Sequence, residues 1–120
     1  MTSRYELSEQ FLDRALAVIP LASQTFSKSL VNYPRGAAPL FIERGEGAYV
    51  WDIDGNRYLD CVNSLCAVTL GYCQPEIDQA VATQMKNGVS FSLPHRLETE
   101  VAELLTELIP CAESVRFGKN

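Results

Sequence analysis

Apolar positions recur along this chain with different rhythms, and each rhythm predicts an element. Over residues 8–19, Phe11, Leu12, Ala15, Leu16 and Ile19 return at helical spacing. That spacing predicts an amphipathic helix with Ser8 as its N-cap and Pro20 as its stop. A helix this short must lean on a neighbour to persist. Over residues 21–39 the periodicity vanishes, and Ser, Thr, Asn, Gly and Pro surround two basic elements, Ser27-Lys28-Ser29 and Pro34-Arg35-Gly36. A long run without regular structure is usually functional or wraps a neighbour.

The period then shortens to two. Leu40-Phe41-Ile42 opens a strand punctuated by Gly45 and Gly47, and segments 48–52 and 57–61 flank Asp54-Gly55-Asn56. Asp-Gly between alternating segments predicts a hairpin, because Gly55 supplies a positive φ. Asp52 and Asp54 also match the opening of a calcium loop. The later ligands and the closing glutamate are missing, so turn chemistry is the expectation.

Two helices are predicted next. Pro75 and Gly88 bracket the first, with Ile77, Ala80, Val81, Gln84 and Met85 on one face. The second follows Ser92-Leu93-Pro94 and runs to Ile109 before Pro110. Its stripe of Leu97, Val101, Leu104, Leu105 and Leu108 reads as core, with Glu98, Glu103 and Glu107 toward water. Residues 114–117 predict a short strand, followed by Gly118-Lys119-Asn120. In α/β proteins a turn of that kind leads to a helix N-terminus that can meet a phosphate.

Composition narrows the class. The 120 residues are 47% hydrophobic and 21% charged, with 10 basic against 15 acidic side chains and a net charge of −5. These values fit a globular chain and exclude collagen-like or disordered classes. The acidic balance argues against nucleic acid and anionic membranes as partners. No window holds the roughly 18 apolar residues of a membrane span. Residues 15–22 lie behind Glu6, Glu9 and Asp13 and contain Pro20, so no secretory signal is expected. Cys61, Cys66, Cys73 and Cys111 form no C-x-x-C pair and His95 is the only histidine, so no metal site is expected. Reduced, partly buried thiols and a cytoplasmic setting follow from that pattern.

Read without a family, the catalytic inventory is thin. His95 follows Pro94 at a helix start, where a capping role is the simplest reading, and Lys86 reads as a solvated residue near a helix end. No lysine sits in an evidently desolvated pocket, as a Schiff-base lysine requires. No catalytic residue is assigned in this chain.

Several segments taken together resemble the N-terminal part of the class III pyridoxal-phosphate (PLP) aminotransferases, in particular the branch that includes glutamate-1-semialdehyde aminomutase. They are Arg14-Ala15-Leu16-Ala17-Val18-Ile19-Pro20, Pro39-Leu40-Phe41-Ile42-Glu43-Arg44-Gly45-Glu46-Gly47-Ala48, Trp51-Asp52-Ile53-Asp54-Gly55-Asn56-Arg57-Tyr58-Leu59-Asp60, Leu70-Gly71-Tyr72, Pro75-Glu76-Ile77 and Val115-Arg116-Phe117. The resemblance implies an α/β fold-type I transferase, N-terminal portion only. By itself that portion is a partial α+β unit of helix, β-hairpin, two helices and a terminal strand. It also implies a division into a helix and dimer arm (1–39), small-domain hairpin and helices (40–113) and the start of a large PLP-binding domain (114–120). A homodimer joined through the arm, PLP as cofactor and small-molecule amino donors and acceptors follow from it.

The resemblance also assigns candidate residues. The family's arm carries a substrate-carboxylate arginine in a Ser-Pro-Val-Arg stretch, which reads Thr25-Phe26-Ser27-Lys28 here. Lys28 is therefore a candidate substrate contact, with Arg35 as its rival. Lysine is a point charge and lacks the bidentate fork. The aminomutase's Ser-Trp-Gly reads Ser64-Leu65-Cys66, which makes Ser64 and Leu65 cofactor-side candidates and fits an ordinary transaminase better than the aminomutase proper. Residues 90–95 match a segment that reaches the partner's cofactor, which adds His95 as a substrate-side candidate. Asn120 falls at the first position of the phosphate loop. The rest of that loop, the pyridine aspartate and the Schiff-base lysine lie downstream in the family, so these residues alone are expected to be inactive. Two other readings stand beside this one. One is a non-catalytic α+β interaction module, and the other is a split enzyme completed by a second polypeptide.

Overall fold

The computed structural model describes residues 4–118. It divides into two compact units, one ending at Gln79 and one beginning at Ala80.

The first unit opens with α1, Glu6–Leu16, which buries Ser8, Leu12 and Ala15. The predicted cap is corrected: Tyr5 occupies the N-cap position, and Ser8 lies inside the first turn, fully buried. The carboxylate of Asp54, from the hairpin turn, does the capping. It accepts the Leu7 amide at 2.7 Å, the Ser8 amide at 3.0 Å and the Ser8 hydroxyl at 2.5 Å. The orphan N–H groups of a helix start are thus satisfied from a distant part of the sequence. The helix also ends earlier than predicted, at Leu16, with Ile19 still bonded back to the Ala15 carbonyl at 2.7 Å. The aperiodic segment holds two single 3-10 turns, Pro20–Ala22 and Phe26–Lys28, the second closed by the buried Ser29 hydroxyl on the Phe26 carbonyl.

The sheet is antiparallel in the order β1 (Ile42–Glu46), β2 (Tyr49–Asp52), β3 (Arg57–Leu59). Ile42 faces Asp52 and Arg44 faces Trp51, so β1 bulges between them. The predicted hairpin is present, with Trp51 opposite Arg57 and Gly55 at φ 83°. Asp52 performs turn chemistry. Its carboxylate, 2% exposed, accepts the Asn56 amide at 2.7 Å, the Asn56 side chain at 2.9 Å and the Tyr58 hydroxyl at 2.8 Å. Val50 of β2 is buried, and Phe11 of α1 meets Phe41 edge-on at 5.1 Å.

After β3 comes α2, the single turn Asn63–Cys66, in which all four residues have positive φ. The chain then returns to the sheet: Gly47 and Tyr72 exchange two backbone hydrogen bonds of 2.9 and 2.8 Å. That approach needs glycine at Gly45, where a Cβ would sit 2.4 Å from the Tyr72 ring. α3, Pro75–Met85, spans the boundary between the units.

In the second unit α4, Arg96–Leu108, is capped by His95. The imidazole Nδ1 accepts the Leu97 amide at 3.2 Å and Glu98 accepts the His95 amide at 3.0 Å, a reciprocal capping box. Two expectations fail here. The α4 stripe does not form a core in the described chain, since Leu97, Val101, Leu104 and Leu108 are all exposed. Residues 114–117 form no strand, because a strand exists by pairing and the described sheet has only the three strands above. The four cysteines are free but exposed, not partly buried. No helix among the described residues is long and apolar enough to cross a membrane.

Candidate functional site

Within the first unit, a cavity of about 640 Å³ lies between the 3-10 turns, the β1 entry, the end of β3 and α2. Its volume falls in the range of small-molecule pockets. Leu40, Phe41, Ile42, Leu59, Val62 and Leu65 give it an apolar wall. Lys28 is the single cation and Asp60 the single carboxylate among the lining residues. Three sequence candidates, Lys28, Ser64 and Leu65, therefore line one space although the chain separates Lys28 from the other two.

The two charged groups differ in how they are held. The Lys28 ammonium has no ion-pair or hydrogen-bond partner among the described residues. Asp60 is held by three bonds: its carboxylate accepts the Tyr72 hydroxyl at 2.6 Å and the Val62 and Asn63 amides at 2.9 and 3.1 Å. The Tyr72 bond, helped by the two amides, holds the Asp60 carboxyl below its ordinary range against the opposing effect of burial. Reciprocally, that bond and burial push the Tyr72 phenol up to about 12. The Tyr58 phenol, also on the lining, is raised by burial and then by its bond to Asp52.

The Asp60–Tyr72 bond joins the Gly47 bridge to the entry of α2. A left-handed residue other than glycine costs roughly 1–2 kcal/mol, so four in succession require external support. Asp60 supplies it by bonding the Val62 and Asn63 amides, and the turn closes with the Leu65 amide on the Val62 carbonyl at 3.0 Å. Ser64 and Leu65 reach the cavity by that turn.

The remaining candidates lie elsewhere. Arg35 does not line the cavity; its guanidinium pairs with Glu9 of α1 and lies 3.9 Å from Asp13. His95 caps α4 in the second unit and stacks on Phe91 at 5.3 Å. Asn120 falls outside the described residues. Sequence reasoning missed Asp60 and Tyr72 as a pair. The one local signal was an Asp placed two residues before a turn, where it bonds amides ahead of it.

The sequence model of class-III aminotransferases matches residues 31–119. The chain belongs to the class-III aminotransferase family. Among relatives of this family, the glutamate-1-semialdehyde 2,1-aminomutase of Chloroflexus aggregans is 41% identical over 116 residues, covering 97% of this chain and 26% of the relative. Among solved structures, the β-phenylalanine aminotransferase of Variovorax paradoxus superposes with a TM-score of 0.81 at 33% identity, over 93% of this chain and 25% of that one. An omega-transaminase of Sphaerobacter thermophilus gives 0.78 at 34%, over 88% and 23%. The chain thus spans about a quarter of the length of the aminotransferase relatives it matches. Its architecture is the N-terminal portion of the fold-type I transferase, seen as a partial α+β unit of four helices and a three-stranded sheet.

Proposed function

We propose that this chain is the N-terminal segment of a PLP-dependent aminotransferase and contributes the substrate-side wall of its site. The observation that carries the reading is the convergence of Lys28, Ser64 and Leu65 on one cavity in a member of this family. Lys28 would meet the substrate carboxylate as an unpaired cation, and Ser64 and Leu65 would face the cofactor from the left-handed turn. PLP, when bound, acts as the electron sink for chemistry at the amino-bearing carbon. The described residues fit one wall of such a site: they offer an apolar face and one cation, with neither a phosphate cradle nor an enclosed lysine. Holding the cofactor therefore falls to residues beyond this wall, and these 120 residues alone are inactive in this reading.

Within the family, Leu65 and Cys66 stand where the aminomutase carries Trp and Gly, which supports amino transfer between two molecules over the aminomutase reaction. A homodimer joined through the arm of residues 1–39, small-molecule donors and acceptors, and a cytoplasmic setting complete the proposal. The test is amino transfer by the natively expressed protein, compared after its bound cofactor has been stripped with hydroxylamine and again after PLP has been restored. PLP-dependent exchange between an amino acid and a keto acid is the expected result. Equal rates with and without PLP, or isomerisation of glutamate-1-semialdehyde alone, would overturn it.

A further inference from the structure

We infer that the cavity selects a monocarboxylate whose remaining substituent is apolar, and discriminates against dicarboxylates. The inference takes its substrate role from the aminotransferase reading and adds the chemical class. Lys28 is the one cation on the lining and has no partner among the described residues, so it can receive one carboxylate. Leu40, Phe41, Leu59, Val62 and Leu65 line the same cavity. A second carboxylate placed against those side chains would find no second cation and would exchange part of its hydration for apolar contact. It would also face Asp60, which keeps its negative charge because Tyr72 and two amides bond it. Those three bonds take up most of the acceptor capacity of Asp60. An aryl or alkyl group meets neither penalty and gains burial against the wall. The cavity's 640 Å³ readily holds a group of phenyl size.

The experiment is calorimetric titration of the full natural chain with three probes: 3-phenylpropionate, glutarate and 3-phenylpropanol. The expected result is saturable binding of 3-phenylpropionate at least about tenfold tighter than glutarate, a gap of about 1.4 kcal/mol. Lys28→Met should weaken 3-phenylpropionate by a similar factor and leave 3-phenylpropanol unchanged, while Lys28→Arg restores the carboxylate. Lys28 is exposed, so these variants leave the fold intact. Glutarate binding as tightly as 3-phenylpropionate, no saturable binding, or indifference to Lys28→Met would each overturn the inference. Selective binding without PLP-dependent amino transfer would sink the aminotransferase reading alone. Amino transfer with a dicarboxylate preference would sink only the substrate class.

Discussion

Replacing Cys66 isolates the backbone cost of the left-handed turn. Cys66 has φ 68°, is exposed, and does not line the cavity, so its side chain contributes little packing. At an ordinary helical or extended position, glycine is less stable than alanine by roughly 0.5–1 kcal/mol, because the unfolded chain gains freedom. At a left-handed position the order reverses, since alanine carries a Cβ penalty of roughly 1–2 kcal/mol that glycine does not. Subtracting the entropic loss from the relieved strain leaves Cys66→Gly more stable than Cys66→Ala by about 0–1.5 kcal/mol, with a central value of about 0.7 kcal/mol. Urea unfolding of both variants under reducing conditions measures that difference. A glycine variant less stable than the alanine variant would mean that the turn is not strained, and that Asp60 and Tyr72 hold nothing in place.

Other substitutions test the neighbouring supports. Tyr72→Phe keeps the ring and removes the hydroxyl on Asp60; the loss should be about 1–2 kcal/mol, given that Asp60 retains its two amides. Because the Tyr72 phenol is raised, its contribution is complete below about pH 10 and disappears as pH climbs toward about 12, so wild type and Tyr72→Phe should converge in alkaline unfolding. Gly45→Ala drives a methyl into that ring and should cost about 1–3 kcal/mol in thermal or urea unfolding. Asp54→Ala removes the cap of α1 and leaves the buried Ser8 hydroxyl unpaired, for a loss of about 2 kcal/mol. Burial raises the Asp54 carboxyl, but the Ser8 hydroxyl and the Leu7 and Ser8 amides outweigh it, leaving the group below 3.8. Its contribution is therefore present above about pH 4 and lost as pH falls through the lowered value, so Asp54→Ala should flatten the acid limb of a stability profile.

Where the sequence was legible, the determinant was local. Asp54-Gly55 announced the hairpin because glycine alone takes φ 83° there without strain. The bounds of α3 and α4 followed from Pro75, His95 and Pro110, residues that act on their own helices. What stayed hidden depends on distant partners. Ser8 looked like a cap, yet the cap is Asp54, 46 residues away. Of Asn63-Ser64-Leu65-Cys66 only Asn63 readily takes a left-handed conformation; the other three rest on Asp60 and on a tyrosine 12 residues beyond it. Residues 114–117 have the composition of a strand but no described strand to pair with. Of the site, Lys28, Ser64 and Leu65 came from resemblance, and only the folded chain shows them on one cavity wall.

The most direct measurement is the intact native mass of the natively expressed protein, recorded together with its content of bound pyridoxal phosphate. A chain several times 13.3 kDa carrying a pyridoxal group is the result the aminotransferase proposal predicts. A 13.3 kDa chain that takes up no pyridoxal phosphate would contradict it.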